Sequence, residues 1–209
     1  MAYPHSIEET IADGAVHAAG LLLAIPGCAL LIWGASYGED TQAAAASLYG
    51  VILLAAFLAS AVYHMCPLGW LRPTLCRIDH AMIFIKIAAT YTPFVVMIDT
   101  RFAYTVLAAV WAFAIFGAIA KLSFWRPNAP GSLSFYVCMG WLSALLIGPI
   151  YQSFGPLVLT LVVVGGLTYS AGARIFAHPG MRYQNAIWHT HVLLASTCIF
   201  MAVAISLNL

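Results

Sequence analysis

The residues best suited to chemistry lie in one stretch of the chain, between positions 60 and 93. Ser60 and His64 are one helical turn apart, so their side chains face the same way along a helix. Asp79 begins the next apolar segment, and Lys86 follows it by two turns. Ionisable groups inside apolar segments are costly to bury and are usually functional. This stretch is therefore the predicted location of a site that binds a metal or transfers protons.

The composition predicts that membrane helices position these residues. The 209-residue chain is 63% apolar and 7% charged, with a mean hydropathy of +0.94, whereas a soluble domain has about 25% charged residues. Seven apolar runs come near the length of about 20 residues that a membrane span requires, at 15–36, 43–65, 81–98, 102–122, 132–150, 154–177 and 186–207. The predicted fold is all-α, an integral membrane bundle of seven transmembrane helices in a single domain over residues 1–209. A net charge of +1 argues against a nucleic-acid partner.

The basic residues in the connections predict the orientation of the bundle. Arg101 lies in a connection on one side of the membrane. Six basic residues lie on the other side, which holds the N-terminus: Arg72, Arg77, Lys121, Arg126, Arg174 and Arg182. By the positive-inside rule, the N-terminus is cytoplasmic and the C-terminus is external. Six histidines then lie near the cytoplasmic face, at positions 17, 64, 80, 178, 189 and 191, with His5 in the cytoplasmic tail. This segregation predicts a polar site near the inner leaflet.

Several motifs, in this order, resemble the hemolysin III proteins: S-A-V-Y-H (60–64), R-I-D-H (77–80), A-A-T-Y-T-P-F (88–94), G-G-L-T-Y-S-A-G (165–172) and A-I-W-H (186–189). The similarity includes E-E-T-I-A-D-G-A-V-H-A-A-G (8–20) and spans essentially the whole chain. Hemolysin III proteins belong with the progestin and adipoQ receptors and, more distantly, with the alkaline ceramidases. The resemblance implies a seven-helix bundle that holds a zinc ion, Zn2+, near the cytoplasmic face.

The resemblance also implies which residues form the site. In the family, the zinc ligands are the His of S-x3-H and both members of an H-x3-H pair on the last span, while a Ser and an Asp hold or activate the attacking water. Ser60, His64, Asp79 and His189 match these positions, but Asn185 stands where the first His of the pair is expected. The resemblance therefore leaves the identity of a third metal ligand open.

Asp79 is the better substitute for the missing histidine, because two imidazoles and a carboxylate with an open position form a familiar catalytic zinc site. Asn185 would then orient a water molecule or the substrate. Four other histidines are weaker alternatives, since they face elsewhere on their helices or are more simply structural: His17, His80, His178 and His191. In a rival interpretation, the Lys86 ammonium reaches back toward Asp79 and forms a buried ion pair with it instead of a metal site.

Three functions of different classes follow. The first is a zinc-dependent hydrolase of a lipid amide or ester. In it Asp79, if it is not a ligand, takes a proton from water, and Ser60 donates a hydrogen bond to a metal ligand or to the attacked oxygen. The second is a non-enzymatic sensor or homeostasis factor of the membrane. The third is a pore-forming cytolysin, which ranks last because the external halves of the helices lack a polar lining. Membrane lipids are the predicted partners, with no protein partner indicated, and the bacterial inner membrane is the predicted location.

Overall fold

The structure is a computed structural model that describes residues 6–125, 131–178 and 180–209. Within these ranges all of the regular structure is helical, which confirms the all-α prediction. The helices are α1 (Ile7–Ala35), α2 (Asp40–Met65), α3 (Arg72–Ile98), α4 (Arg101–Ser123), α5 (Ser132–Trp141), α6 (Ile147–Phe176) and α7 (Gln184–Ser206), with a 3-10 segment (Leu142–Leu146) between α5 and α6. His5 and Arg126 lie outside the described residues.

Six helical segments in these ranges are long and apolar enough to cross a membrane, compared with the seven spans that the sequence predicts. Five of them are α1, α2, α3, α4 and α7. The sixth is the continuous segment Ser132–Phe176, which contains both the fifth and the sixth predicted spans. The difference in number therefore arises in this one segment.

The segment Ser132–Phe176 reverses its direction at Gly155. This residue has φ 79° and ψ −176°, a conformation that glycine adopts readily and residues with a Cβ do not. The Trp141 indole donates a hydrogen bond to Ser170 Oγ at 3.0 Å, although the two residues are 29 positions apart. A straight helix of that length would separate them by about 43 Å. The two halves of the segment therefore lie side by side.

Helix α1 begins at Ile7 rather than at residue 15, where the first predicted span starts. A capping box explains the earlier start, because Ser6 Oγ accepts a hydrogen bond from the backbone N–H of Glu9 while the Glu9 carboxylate accepts one from the backbone N–H of Ser6. Two of the free N–H groups at the helix N-terminus are satisfied in this way. Asp13 consequently lies inside α1 and not in a tail before it.

The order of the helices in the bundle brings the two ends of the chain together. Helix α1 packs against both α2 and α7, and α3 packs against both α2 and α4. Of the six span segments, α3 is the most extensively buried. Because α1 lies between α2 and α7, its first turns approach the end of α2 and the beginning of α7. This corner positions the histidines described below.

Gly172 marks a close approach between α6 and α7. A Cβ at this position would lie 2.7 Å from the Cβ of His191 and 3.0 Å from the Trp188 ring, whereas a Cβ at Gly166 would meet nothing within 4 Å. Small residues at such contacts allow membrane helices to pack closely.

We therefore expect Gly172→Ala to destabilise the bundle. Overpacking costs about 1–3 kcal/mol, which offsets the gain of about 1 kcal/mol from replacing a helical glycine. The melting temperature of the detergent-purified variant should fall by about 3 °C or more relative to Gly166→Ala, the matched control. Equal melting temperatures for the two variants would contradict the close packing.

Candidate metal site and the adjoining cavity

Four ionisable side chains meet at the corner formed by α1, α2 and α7. Asp13 and His17 project from α1 one turn apart, His64 belongs to the last turn of α2, and His189 lies near the start of α7. Each residue offers one ligand atom, and these four atoms lie within 4.8 Å of one another. The ring centroid of His189 is 4.4 Å from the centroids of both His17 and His64. We call these four residues the His/Asp cluster.

Asp13 is the centre of the His/Asp cluster and its only acidic member. Its Oδ1 lies 2.6 Å from Nδ1 of His189, and its Oδ2 lies 3.0 Å from Nδ1 of His64. A carboxylate can only accept hydrogen bonds, so each ring donates from Nδ1 and, when neutral, keeps Nε2 as an electron-pair donor. Metal binding releases protons from such groups, so a cation that replaced these N–H groups could take the same nitrogen and oxygen atoms as ligands.

His17 provides the observation that tests whether a metal fits this corner. Its Nε2 is buried, has no hydrogen-bond partner among the described residues, and lies 3.6 Å from Asp13 Oδ1. A buried polar atom left without a partner costs about 1–3 kcal/mol. A bound cation would satisfy this atom.

The spacing of the ligand atoms also suits a small divalent cation. In a tetrahedral site with metal–ligand bonds of about 2.0–2.2 Å, neighbouring ligand atoms are about 3.3 Å apart. The four ligand atoms lie within 4.8 Å of one another, so small movements of the side chains would bring them to this spacing. Three imidazoles and one carboxylate, brought together in a buried corner, could therefore hold a metal ion.

Contacts at the helix ends fix the geometry of the cluster. The Glu9 carboxylate accepts a hydrogen bond of 3.0 Å from the backbone N–H of Tyr183, which ties the first turn of α1 to the start of α7. Arg72 donates to the carbonyl oxygen of Cys66 at 3.2 Å and so satisfies the end of α2 beside His64. The first contact joins α1 to the start of α7, and the second joins the start of α3 to the end of α2, so the helix ends that carry the cluster are held independently of any ligand.

A cavity of about 380 Å3 adjoins the cluster, and His17, His64 and His189 form part of its wall. Most of the wall consists of apolar side chains, and the half-buried residues Ser60 and Asp79 also line it. Its volume falls within the range of about 300–1,000 Å3 found for small-molecule sites. The arrangement can therefore present polar, metal-binding groups to a hydrophobic ligand.

Comparison with known proteins identifies the family. Residues 5–200 match the sequence profile described as "Haemolysin-III related". The chain belongs to the hemolysin III family. It is 34% identical to hemolysin-3 of Bacillus cereus over 199 residues, which cover 94% of this chain and 91% of that protein. It is 32% identical to the hemolysin-3 homolog of Bacillus subtilis (strain 168) over 200 residues, which cover 95% of this chain and 94% of that protein.

A more distant relative extends the similarity beyond bacteria. The chain is 28% identical to the human monocyte to macrophage differentiation factor over 211 residues, which cover 96% of this chain and 85% of that protein. These matches span almost the whole length of each protein. They confirm the resemblance that the sequence motifs indicate.

The structure of this hemolysin III protein brings some of the predicted site residues together and separates others. His64 and His189 lie in the His/Asp cluster, while Ser60 and Asp79 lie on the wall of the adjoining cavity. Asp79, the predicted third ligand, is not a member of the cluster, and the carboxylate there is that of Asp13. The assignment of Asp79 as a ligand therefore has no geometric support among the described residues.

The remaining alternatives are also placed by the structure. Among the ion pairs of the described residues, none joins Lys86 to Asp79. Three of the weaker histidine alternatives are not members of the cluster: His80, His178 and His191. Each has its Nδ1 within hydrogen-bond distance of the carbonyl four residues earlier. The fourth, His17, is a member of the cluster.

Asp13 is the cluster residue that the sequence patterns did not identify, and they ranked His17 only as a weaker alternative. The available signal was their spacing, because D-x3-H at 13–17 puts both side chains on one helix face, as S-x3-H does at 60–64. The predicted first span starts at residue 15 and so places Asp13 outside the helix. Asn185 borders the large cavity and also a small one of about 10 Å3 that touches Asp13 and His64. It therefore lies next to the cluster without belonging to it.

Proposed function

We propose that this hemolysin III protein is a zinc-dependent hydrolase that cleaves an amide or ester bond in a membrane lipid. The observation that carries the proposal is the position of the His/Asp cluster at the wall of an apolar cavity. Zinc is favoured over harder cations because the ligand set contains three imidazoles, and magnesium and calcium prefer oxygen ligands. A lipid is favoured as substrate because the cavity is lined mainly by apolar side chains within apolar helices.

The proposed reaction assigns distinct roles to the two polar residues beside the cluster. A zinc ion held by Asp13, His17, His64 and His189 would polarise a carbonyl group and ease the deprotonation of water, provided that it took the water or the carbonyl oxygen as a further ligand. Asp79 accepts the proton of the attacking water, whose oxygen forms a bond to the carbonyl carbon. Ser60 donates a hydrogen bond to the carbonyl oxygen as its negative charge develops.

Cleavage then completes the proton balance. The C–N bond of an amide, or the C–O bond of an ester, breaks when Asp79 returns the proton to the leaving nitrogen or oxygen. The products are a fatty acid and an amine or an alcohol. No redox partner or second cofactor is required.

The proposal includes a membrane arrangement. The two halves of Ser132–Phe176 lie side by side, so counting each half as a span gives seven spans. The positive-inside rule then puts the N-terminus in the cytoplasm, the C-terminus outside and the cluster near the cytoplasmic leaflet. The similarity to Bacillus proteins supports a bacterial plasma membrane. Alkaline phosphatase is active only outside the cytoplasm, so a fusion to the C-terminus should be active. An inactive fusion would contradict the proposed orientation.

The hydrolase proposal predicts turnover that depends on both the metal and Asp79. Protein loaded with zinc in nanodiscs should release the labelled fatty acid from a ceramide, or from a diacylglycerol, that carries a fluorescent acyl chain. Chelator-treated protein should not release it. Asp79→Asn should keep its zinc and lose about 100-fold or more in rate, because a positioned general base contributes about 10²–10⁴-fold.

Asp99→Asn is the matched control for this experiment. Asp99 is exposed at the other end of α3 and has φ 47°, a left-handed conformation that asparagine also adopts readily. Its replacement should leave turnover unchanged. If the zinc-loaded protein releases no fatty acid from either substrate, the hydrolase proposal fails.

A further inference from the structure

Lys86 is a buried cation that lacks an acidic partner. Its side chain lies on the cavity wall and is 9% exposed, and among the described residues no carboxylate lies within 4 Å of Nζ. All seven acidic residues of the chain are within the described ranges. A buried charge is costly unless it is paired. A lysine in this environment therefore indicates that the negative charge comes from outside the chain.

The surroundings of Lys86 stabilise a cation and still leave room for an anion. Nζ donates to Ser196 Oγ at 3.4 Å and lies 5.1 Å and 5.5 Å from the ring centroids of Tyr169 and Phe57. Tyr169 OH is 2.6 Å from Ser196 Oγ, so the two hydroxyls form a small network beside the ammonium. An ammonium has three N–H donors, and one acceptor accounts for only one of them. Since no other acceptor for Nζ is found among the described residues, the other donors are available to a ligand in the cavity.

This polar group forms a second layer, distinct from the His/Asp cluster. Each of three residues in this group lies seven positions along its helix from a residue of the cluster or, for Asp79, of the cavity wall beside it. The pairs are Phe57 with His64 on α2, Lys86 with Asp79 on α3, and Ser196 with His189 on α7. Seven residues of helix correspond to about 10 Å. The same offset on α2, α3 and α7 therefore places Lys86 about 10 Å from the layer of the cluster, within one cavity.

We propose that Lys86, together with Ser196 and Tyr169, binds the carboxylate of a single-chain fatty acid or of another amphiphile that ends in a carboxylate. The ammonium and the hydroxyls hold the carboxylate oxygens, and the apolar walls of the cavity hold the chain. This subsite requires neither the metal nor the hydrolytic activity proposed above.

The charge balance of the subsite favours a carboxylate over a phosphate monoester. One ammonium neutralises one negative charge, whereas a phosphate monoester carries about −1.5 to −2 near pH 7. The surplus charge would stay buried among aromatic and aliphatic side chains, which is costly. A fatty alcohol would use the same apolar walls but would leave the ammonium without a counter-ion.

Competition binding in nanodiscs tests the subsite. Labelled laurate is bound to the purified protein and displaced with laurate, dodecanol or dodecyl phosphate, and empty nanodiscs give the partition background. The wild-type protein should prefer laurate to dodecanol by about tenfold or more, since a charge-assisted hydrogen bond contributes about that much. Lys86→Met, which keeps the length and apolar volume of the side chain, should abolish this preference, and Lys86→Arg should retain it.

A further variant separates this proposal from the hydrolase. His64→Ala removes a member of the His/Asp cluster and should therefore lose metal and turnover. Its preference for laurate over dodecanol should stay unchanged, which separates failure of the hydrolase from failure of the subsite. Equal affinity of the wild-type protein for laurate and dodecanol would overturn the subsite, as would a preference that survives in Lys86→Met. Tighter binding of dodecyl phosphate than of laurate would overturn the assignment to a carboxylate.

Discussion

Asp13→Asn should lose the metal from the purified protein. Asp13 is the only anion in the His/Asp cluster and contacts Nδ1 of both His64 and His189. A structural zinc site contributes about 10–16 kcal/mol in total, which is about 3 kcal/mol for each of four ligands. We therefore expect the zinc affinity to fall by about two to three orders of magnitude. Metal analysis by plasma mass spectrometry, with chelator competition for the affinity, measures the change.

Asp79→Asn is the matched comparison, because it removes a carboxylate from the wall of the adjoining cavity without touching the cluster. Its zinc affinity should stay within about threefold of the wild-type value, a change of less than 1 kcal/mol. The opposite pattern, in which Asp79→Asn loses the metal and Asp13→Asn keeps it, would make Asp79 the ligand and remove Asp13 from the site. The pair of variants thus decides between the sequence-based assignment and the geometry.

The sequence predicts the helical elements well because composition and apolar run length decide them. It does less well at the reversal near Gly155, for which it predicts a turn at 151–153 between two separate spans. The chain instead stays helical up to Gly155, and the left-handed conformation of that glycine makes the reversal. Such a turn depends on the backbone angles of one residue, which hydropathy does not report.

The site is only partly predictable, for a related reason. The spacing of Ser60 and His64 shows which side chains share a helix face, but it does not show which helix ends meet. The contact between Asp13 and His189 joins residues 176 positions apart, and it exists because α1 packs between α2 and α7. The capping box at Ser6 adds the final condition, since it extends α1 far enough to include Asp13. Neither condition can be derived from the apolar periodicity alone.

Asn185 makes a second test possible, in which a new histidine compensates for the loss of another. His17→Ala should lower the zinc affinity by about two orders of magnitude, because it removes one of four ligands. Adding Asn185→His should restore it to within about tenfold of wild type. Position 185 is one turn before His189 on the same face of α7, and it borders both cavities next to Asp13 and His64.

The control is His17→Ala combined with Ile187→His, which adds an imidazole to the same helix about 200° around its axis from His189. That imidazole faces away from the cluster, so zinc affinity should stay low. If His17→Ala alone binds zinc as tightly as the wild-type protein, His17 is not a ligand and its buried Nε2 needs another explanation. Rescue by position 185 but not by position 187 would show that His17 supplies, from the first helix, the ligand that Asn185 does not supply from the last.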